Sequence, residues 1–183
     1  MKNDETLWRR YLEGDESGLT ALMERYGNRL TFYINGYLHD VNDAEDLMIE
    51  AFAYLTVKKP RIQENFKAYL YKTARHLALR FAAKNRRHRC FSFEDLGQEP
   101  ESKTLIEEVV QTQERDSILR LCMEQLNPDY REALYLVYFE NMRHAEAAAV
   151  MRKSEKQVAD LVYRGKHSLR KRLEQEGITS AEY

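Results

Sequence analysis

Apolar residues return every three to four positions along nearly the whole chain. Leu19, Leu22, Met23, Tyr26, Leu30, Tyr33, Ile34 and Tyr37 form one stripe, and Ala44, Leu47, Met48, Ala51, Phe52 and Leu55 a second. Phe66, Leu70, Ala74, Leu77 and Phe81 form a third. That spacing gives an α-helix one buried face, and no segment holds the period of two that a strand requires. Punctuating residues place the ends. Pro60 falls in a loop, Pro100 in a break, and Pro128 at a helix start. Asn65 is the expected N-cap of the helix after it, Asn127-Pro128 opens another, and Ser154-Glu155-Lys156-Gln157 has the pattern of a capping box. The predicted helices cover 4–13, 16–38, 42–58 and 66–88, then 105–125, 129–139, 143–151 and 155–175. Between the two sets, residues 90–104 carry Gly97 and Pro100 and show no helical pattern. The expected fold is all-α: a helical bundle over 1–89, a flexible acidic linker over 90–111, and a second small helical domain over 112–183.

Composition narrows the setting. The 183 residues suffice for one ordinary domain or two small ones. No apolar run approaches the ~18 residues of a membrane helix, so no membrane insertion is expected. The opening MKNDETLWRR has no apolar core, so no secretory signal is expected either. Two cysteines far apart, Cys90 and Cys122, fit a reducing, cytoplasmic setting rather than a disulfide framework. The net charge of −1 conceals a segregation, +4 over residues 1–89, −5 over 90–115 and 0 over 116–183.

Three constellations carry candidate chemistry. From Phe66 to Phe93 there is no acidic residue, and Lys67, Lys72, Arg75, Arg80, Lys84, Arg86, Arg87 and Arg89 are interleaved with Phe66, Tyr69, Tyr71 and Phe81. Cations attract phosphates and aromatic faces stack on unpaired bases, a combination suited to single-stranded nucleic acid. Further on, a support helix, the alanine-rich helix Arg143 to Met151, a turn at Arg152-Lys153-Ser154 and a long helix from 155 make a helix-turn-helix pattern. On the long helix Val158, Leu161, Val162, Gly165 and Leu169 fall inward, and Lys156, Gln157, Asp160, Tyr163, Arg164 and His167 outward. Such a helix fits the DNA major groove; the same pattern also describes a solvated helical hairpin. Finally, Asp43, Glu45, Asp46 and Glu50 gather on one helix. They favour its N-terminal dipole, and they also offer a docking surface to a basic protein. No Gly-rich phosphate loop and no nucleophile constellation is present, and His88 with Cys90 falls short of a four-ligand zinc site. No catalytic residue, cofactor or metal is expected.

The runs ALMERYGNRLTFYINGYLHDVNDAEDLMIEAFAYL and NFKAYLYKTARHLALRFAAKNRR resemble the promoter-melting domain of extracytoplasmic-function sigma factors. The run LNPDYREALYLVYFENMRHAEAAAVMRKSEKQVADLVYRGKHSLRKRL resembles their C-terminal helix-turn-helix domain, in the same order, so the resemblance spans residues 5–174. It implies a non-enzymatic bacterial transcription initiation factor that binds core RNA polymerase, directs it to promoters and assists strand opening. It implies that Asp43, Glu45, Asp46, Leu47 and Glu50 dock on the polymerase, whose largest-subunit clamp and flap regions are the expected partners. It implies that the loop from Lys59 and the helix after it hold a flipped base of the −10 element, with Arg61, Gln63, Asn65, Phe66, Tyr69, Lys72, Thr73, His76 and Arg80 as contacts. Lys153, Ser154, Lys156, Gln157, Tyr163, Arg164 and Lys166 are the implied contacts to −35 duplex DNA. An anti-sigma partner covering both domains is the implied regulator, since the short stretch after residue 174 is not expected to hold a regulatory domain.

The chain departs from the family at several positions. His76 stands where Asn is frequent and Ile49 where Gln is frequent. Ala159 and Leu161 replace residues that are often basic, and Asp160 lies beside them. The alternative functional reading is a polymerase-independent helix-turn-helix regulator, usually a dimer on a palindromic site. A third is a protein-interaction adaptor that has kept the fold but lost −35 reading, which the Ala159-Asp160-Leu161 run supports.

Overall fold

The computed structural model describes residues 3–89, 119 and 121–176, which fall into two compact units on either side of the undescribed segment. Among the described residues every regular element is helical. The linker expected over 90–111 and most of the helix expected over 105–125 lie outside the described residues; of that helix, residues 121–124 are helical.

The first unit contains α1 (Asp4–Leu12), α2 (Ser17–Leu38), α3 (Val41–Lys58) and α4 (Phe66–Arg89). Helix α2 is central and packs on the other three. Its apolar stripe meets theirs: Leu22, Leu30 and Ile34 of α2, Phe52 and Leu55 of α3, and Phe66, Leu70 and Tyr71 of α4 are fully buried together with Trp8. Burying each such side chain contributes about 1.5–3 kcal/mol relative to leaving it in water. The α1–α2 approach requires Gly18, because a Cβ there would stand 2.2 Å from the Leu7 carbonyl oxygen. Asp4 of α1 is bonded to Arg25 and to the Tyr26 hydroxyl of α2.

Helix ends follow local chemistry. Asp40 caps α3, its Oδ1 accepting from the Asp43 N–H at 3.1 Å. Helix α3 stops at Lys59, in the left-handed region at φ 45°. Asn65 stands at the N-cap position expected for α4, its carbonyl accepting the first intrahelical bond, from the Tyr69 N–H at 3.1 Å. Asn65 is itself left-handed, at φ 65°, a conformation Asn tolerates better than most residues. The first N–H of α4, on Phe66, is satisfied by Glu5 Oε1 of α1 at 3.1 Å. Sequence spacing could not show this cap, because donor and acceptor are 61 residues apart.

The second unit contains α5 (Pro128–Leu134), a π-helical turn (Tyr135–Phe139), α6 (His144–Met151) and α7 (Glu155–Gln175). The continuous helix expected over 129–139 is therefore interrupted. The Glu140 N–H reaches back to the Tyr135 carbonyl at 3.1 Å, and the buried Glu140 carboxylate accepts from the Tyr135 hydroxyl at 3.1 Å. The wider turn brings a carboxylate into the interior next to the donor that solvates it. Asn127 caps α5 through Asp129, as its sequence context predicts. Gly165 lets α7 lie close on α5, with Leu134 and Tyr130 side chains 3.2 and 3.3 Å from where a Cβ would be.

Candidate nucleic-acid and polymerase interfaces

Helix α4 has two chemically distinct sides. Phe66, Leu70, Tyr71, Ala74, Leu77 and Ala78 are buried, so the opposite side holds Tyr69, Lys72, Thr73, His76 and Arg80. Spacings of three and four residues put these five on one face. Lys72, His76 and Arg80 are exposed, and Tyr69 and Thr73 are half-buried. The Thr73 hydroxyl donates to the Tyr69 carbonyl at 3.0 Å. Burial pushes the Tyr69 phenol upward in pKa, and the neighbouring Tyr54 of α3 adds to it. Arg61 and Gln63, exposed in the 59–65 loop, and half-buried Asn65 precede this face. Phe66 departs from expectation: it is fully buried, its ring 5.6 Å from Trp8, so it cannot stack on a base.

Helix α3 presents an acidic face continuing into an apolar one. Glu45, Asp46 and Glu50 are exposed and Asp43 is half-exposed. Burial, then Asp40 and then Asp46 raise the Asp43 carboxyl above its ordinary value. Leu47 departs from its expected docking role, since it is 5 % exposed and packs in the core. Sequence reasoning singled out Ile49 only as a departure and missed the apolar face it belongs to. Ile49 is 54 % and Val57 79 % exposed, with exposed Ala53 between them on the same face as Asp46.

Helix α7 starts with the predicted capping box. Ser154 Oγ accepts from the Gln157 N–H at 3.2 Å, and Gln157 Oε1 accepts from the Ser154 N–H at 2.8 Å. Both were expected DNA contacts, and both side chains are committed to the cap. Lys153, Gln157, Asp160, Leu161 and Arg164 line one shallow depression. Exposed Lys156 and Tyr163 flank it. Lys166 does not join them: its Nζ stands 5.5 Å over the Tyr138 ring, on the other flank of the helix.

The sequence of residues 22–88 matches Sigma-70 region 2, and that of residues 116–169 matches Sigma-70, region 4. The chain is an extracytoplasmic-function sigma factor of the sigma-70 family. It is 25% identical to the RNA polymerase sigma-H factor of Pseudomonas aeruginosa, over 95% of both chains. It is 26% identical to the ECF RNA polymerase sigma factor SigM of Bacillus subtilis, over 83% of this chain and 93% of that one. The fold is similar to that of the sigma factor RpoE in its complex with the anti-sigma factor NepR from Bartonella quintana (TM-score 0.67, 17% identity, 85% of this chain and 96% of that one).

This sigma factor directs RNA polymerase to promoters and is non-enzymatic. Among its described residues no group of three or more His, Cys, Asp or Glu could hold a metal ion, and no helix is long and apolar enough to cross a membrane. His88 and Cys90 have no described side chains. Two further residues of the sigma factor lay outside the sequence reading. Tyr54 sits off the apolar stripe and gains meaning only beside Tyr69. Trp8 is buried, and its being the chain's single tryptophan is the one signal that could have drawn attention to it.

Proposed function

We propose that the first unit docks on the clamp of the polymerase largest subunit through the α3 face, and holds the opened −10 region between the 59–65 loop and the outer face of α4. The second unit reads −35 duplex DNA through the depression on α7 and meets the flap region of the polymerase. The observation that carries this reading is the segregation of charge within one small bundle. Asp43, Asp46 and Glu50 face outward on α3, whereas Tyr69, Lys72, His76 and Arg80 face outward on α4. Carboxylates repel phosphates, so only a division of labour between a protein partner and a nucleic acid satisfies both faces. Arg61 and Gln63 supply polar edges for an unstacked base, and Tyr69 with Tyr54 supply aromatic surface for its neighbours.

The solved complex of RpoE with NepR supports a further partner, an anti-sigma factor, for this chain as well. Cysteine usage and the polymerase partner support a cytoplasmic setting.

Run-off transcription with purified core RNA polymerase tests the reading, comparing wild type with Asp46→Arg on fragmented genomic DNA. Discrete starts with wild type and none with the charge reversal are expected. If polymerase ignores the wild-type chain while the chain retards specific duplexes, the docking proposal is overturned in favour of polymerase-independent binding.

A further inference from the structure

We propose that α1 positions the base-holding loop, with Glu5 and Trp8 as its two positioning residues; this rests on the reading of residues 59–65 as that loop. The loop leaves α3 at Lys59 and meets α4 at Asn65, both in the left-handed region, at φ 45° and 65°. Within it the Ile62 N–H bonds the Pro60 carbonyl at 3.0 Å. Arg61, Gln63 and Glu64 project into solvent.

Two bonds from α1 hold the loop's margins. Trp8 Nε1 donates to the Pro60 carbonyl at 2.9 Å, at the leading margin. Glu5 Oε1 accepts from the Phe66 N–H at 3.1 Å, at the trailing margin. Glu5 and Trp8 are three residues apart, so they share one face of α1 and span both margins at once. The anchor is rigid. Trp8 is 1 % exposed and its ring lies 5.6 Å from that of Phe66. Helix α1 is fixed in turn on α2 by the Asp4 bonds to Arg25 and Tyr26 and by the close approach at Gly18.

The physical consequence is pre-organisation. A loop fixed at both margins has lost its freedom before DNA arrives, so binding energy from an extruded base is not spent on ordering it. The two bonds lie on the core side and leave Arg61 and Gln63 exposed. Helix α1 therefore acts on the base through the loop without touching it.

The test uses holoenzyme on a promoter located by run-off transcription. Opening is read from permanganate reactivity of unpaired −10 thymines and from open-complex lifetime after competitor challenge. Trp8→Phe keeps the ring and removes the N–H; Glu5→Ala removes the acceptor; Glu5→Gln retains one. Trp8→Phe and Glu5→Ala are expected to shorten the open-complex lifetime about fivefold each, the equivalent of one net hydrogen bond. They should also narrow the discrimination between correct and incorrect −10 bases, with core-polymerase binding unchanged and a loss of opening larger than any fall in melting temperature accounts for. Glu5→Gln should restore most of the lifetime. If opening falls only in step with melting temperature, α1 is merely structural and the proposal is overturned. Should Trp8→Phe alone lower the melting temperature, the Glu5→Ala and Glu5→Gln pair decides. Arg61→Ala and Gln63→Ala separate the two levels. If they impair opening while the α1 variants do not, positioning by α1 is wrong. If they have no effect, the base-holding reading of the loop is wrong and the α1 proposal falls with it.

Discussion

Lys153 Nζ lies 3.0 Å from Asp129 Oδ2, joining the turn before α7 to the first turn of α5. The pair is partly exposed, so it contributes about 0–1 kcal/mol to stability. Its larger effect is on charge: a cation at the edge of the depression proposed to face DNA is already neutralised. Asp129→Ala should therefore strengthen duplex binding by the holoenzyme and steepen the dependence of log K on log salt by about 0.9, one further phosphate contact. Fluorescence anisotropy across a salt series measures both. An unchanged slope would show that Lys153 does not reach a phosphate once released.

The depression on α7 combines Arg164 with Asp160 and Leu161. Arg164→Ala should cost about 1–3 kcal/mol of upstream-element affinity if it contacts a base, and reduce affinity uniformly across sequences if it contacts a phosphate. An aspartate accepts from cytosine N4 and repels phosphate. Asp160→Ala should thus relax sequence preference at one position while raising non-specific affinity. Selection from a randomised upstream element, read by sequencing, distinguishes these effects.

Asp43 gives a pH prediction. Its carboxyl is raised by burial, Asp40 and Asp46, so the folded state binds its proton more tightly than the unfolded state does. Ionised Asp43 therefore destabilises the fold at neutral pH. The penalty fades as pH falls through the raised folded value and is gone below the ordinary 3.8. Asp43→Asn removes this titration. Its melting temperature should equal or exceed that of wild type at pH ~7, with the difference closing on acidification. Polymerase affinity should fall in the same variant, giving opposite signs for stability and docking.

Gly18 and Gly27 provide a paired stability test. A Cβ at Gly18 meets backbone atoms at 2.2 and 3.0 Å, so Gly18→Ala should cost about 1–3 kcal/mol and loosen α1 from α2. At Gly27, also within α2, nothing lies within 4 Å of the added Cβ, so Gly27→Ala should gain about 0.8–1 kcal/mol of helix propensity. Thermal melts of the two variants should move in opposite directions.

Much of this molecule is local, and local features are legible in a sequence. A 3.6-residue period sets the faces of α2, α3, α4 and α7, and the capping box at Ser154 and Gln157 closes within three residues. The acidic α3 face and the basic α4 face follow from the same period. Phe66 and Leu47 lie on the apolar stripes and are buried as that period predicts; it is the binding role implied for each by the resemblance that their burial opposes. The π-helical turn at Tyr135–Phe139 was hidden, since it depends on Glu140 being drawn inside to meet the Tyr135 hydroxyl.

By itself, then, the sequence determined the all-helical class, the helix faces, the family and the charge each face presents, because these depend on residues within a turn or two of one another. Tertiary structure alone decided which motif residues remain available, that Lys153 is already paired, that Tyr54 stands by Tyr69, and that Glu5 and Trp8 hold the 59–65 loop. Those outcomes depend on hydrogen bonds and contacts between residues distant along the chain, whose directions are fixed only when the helices pack.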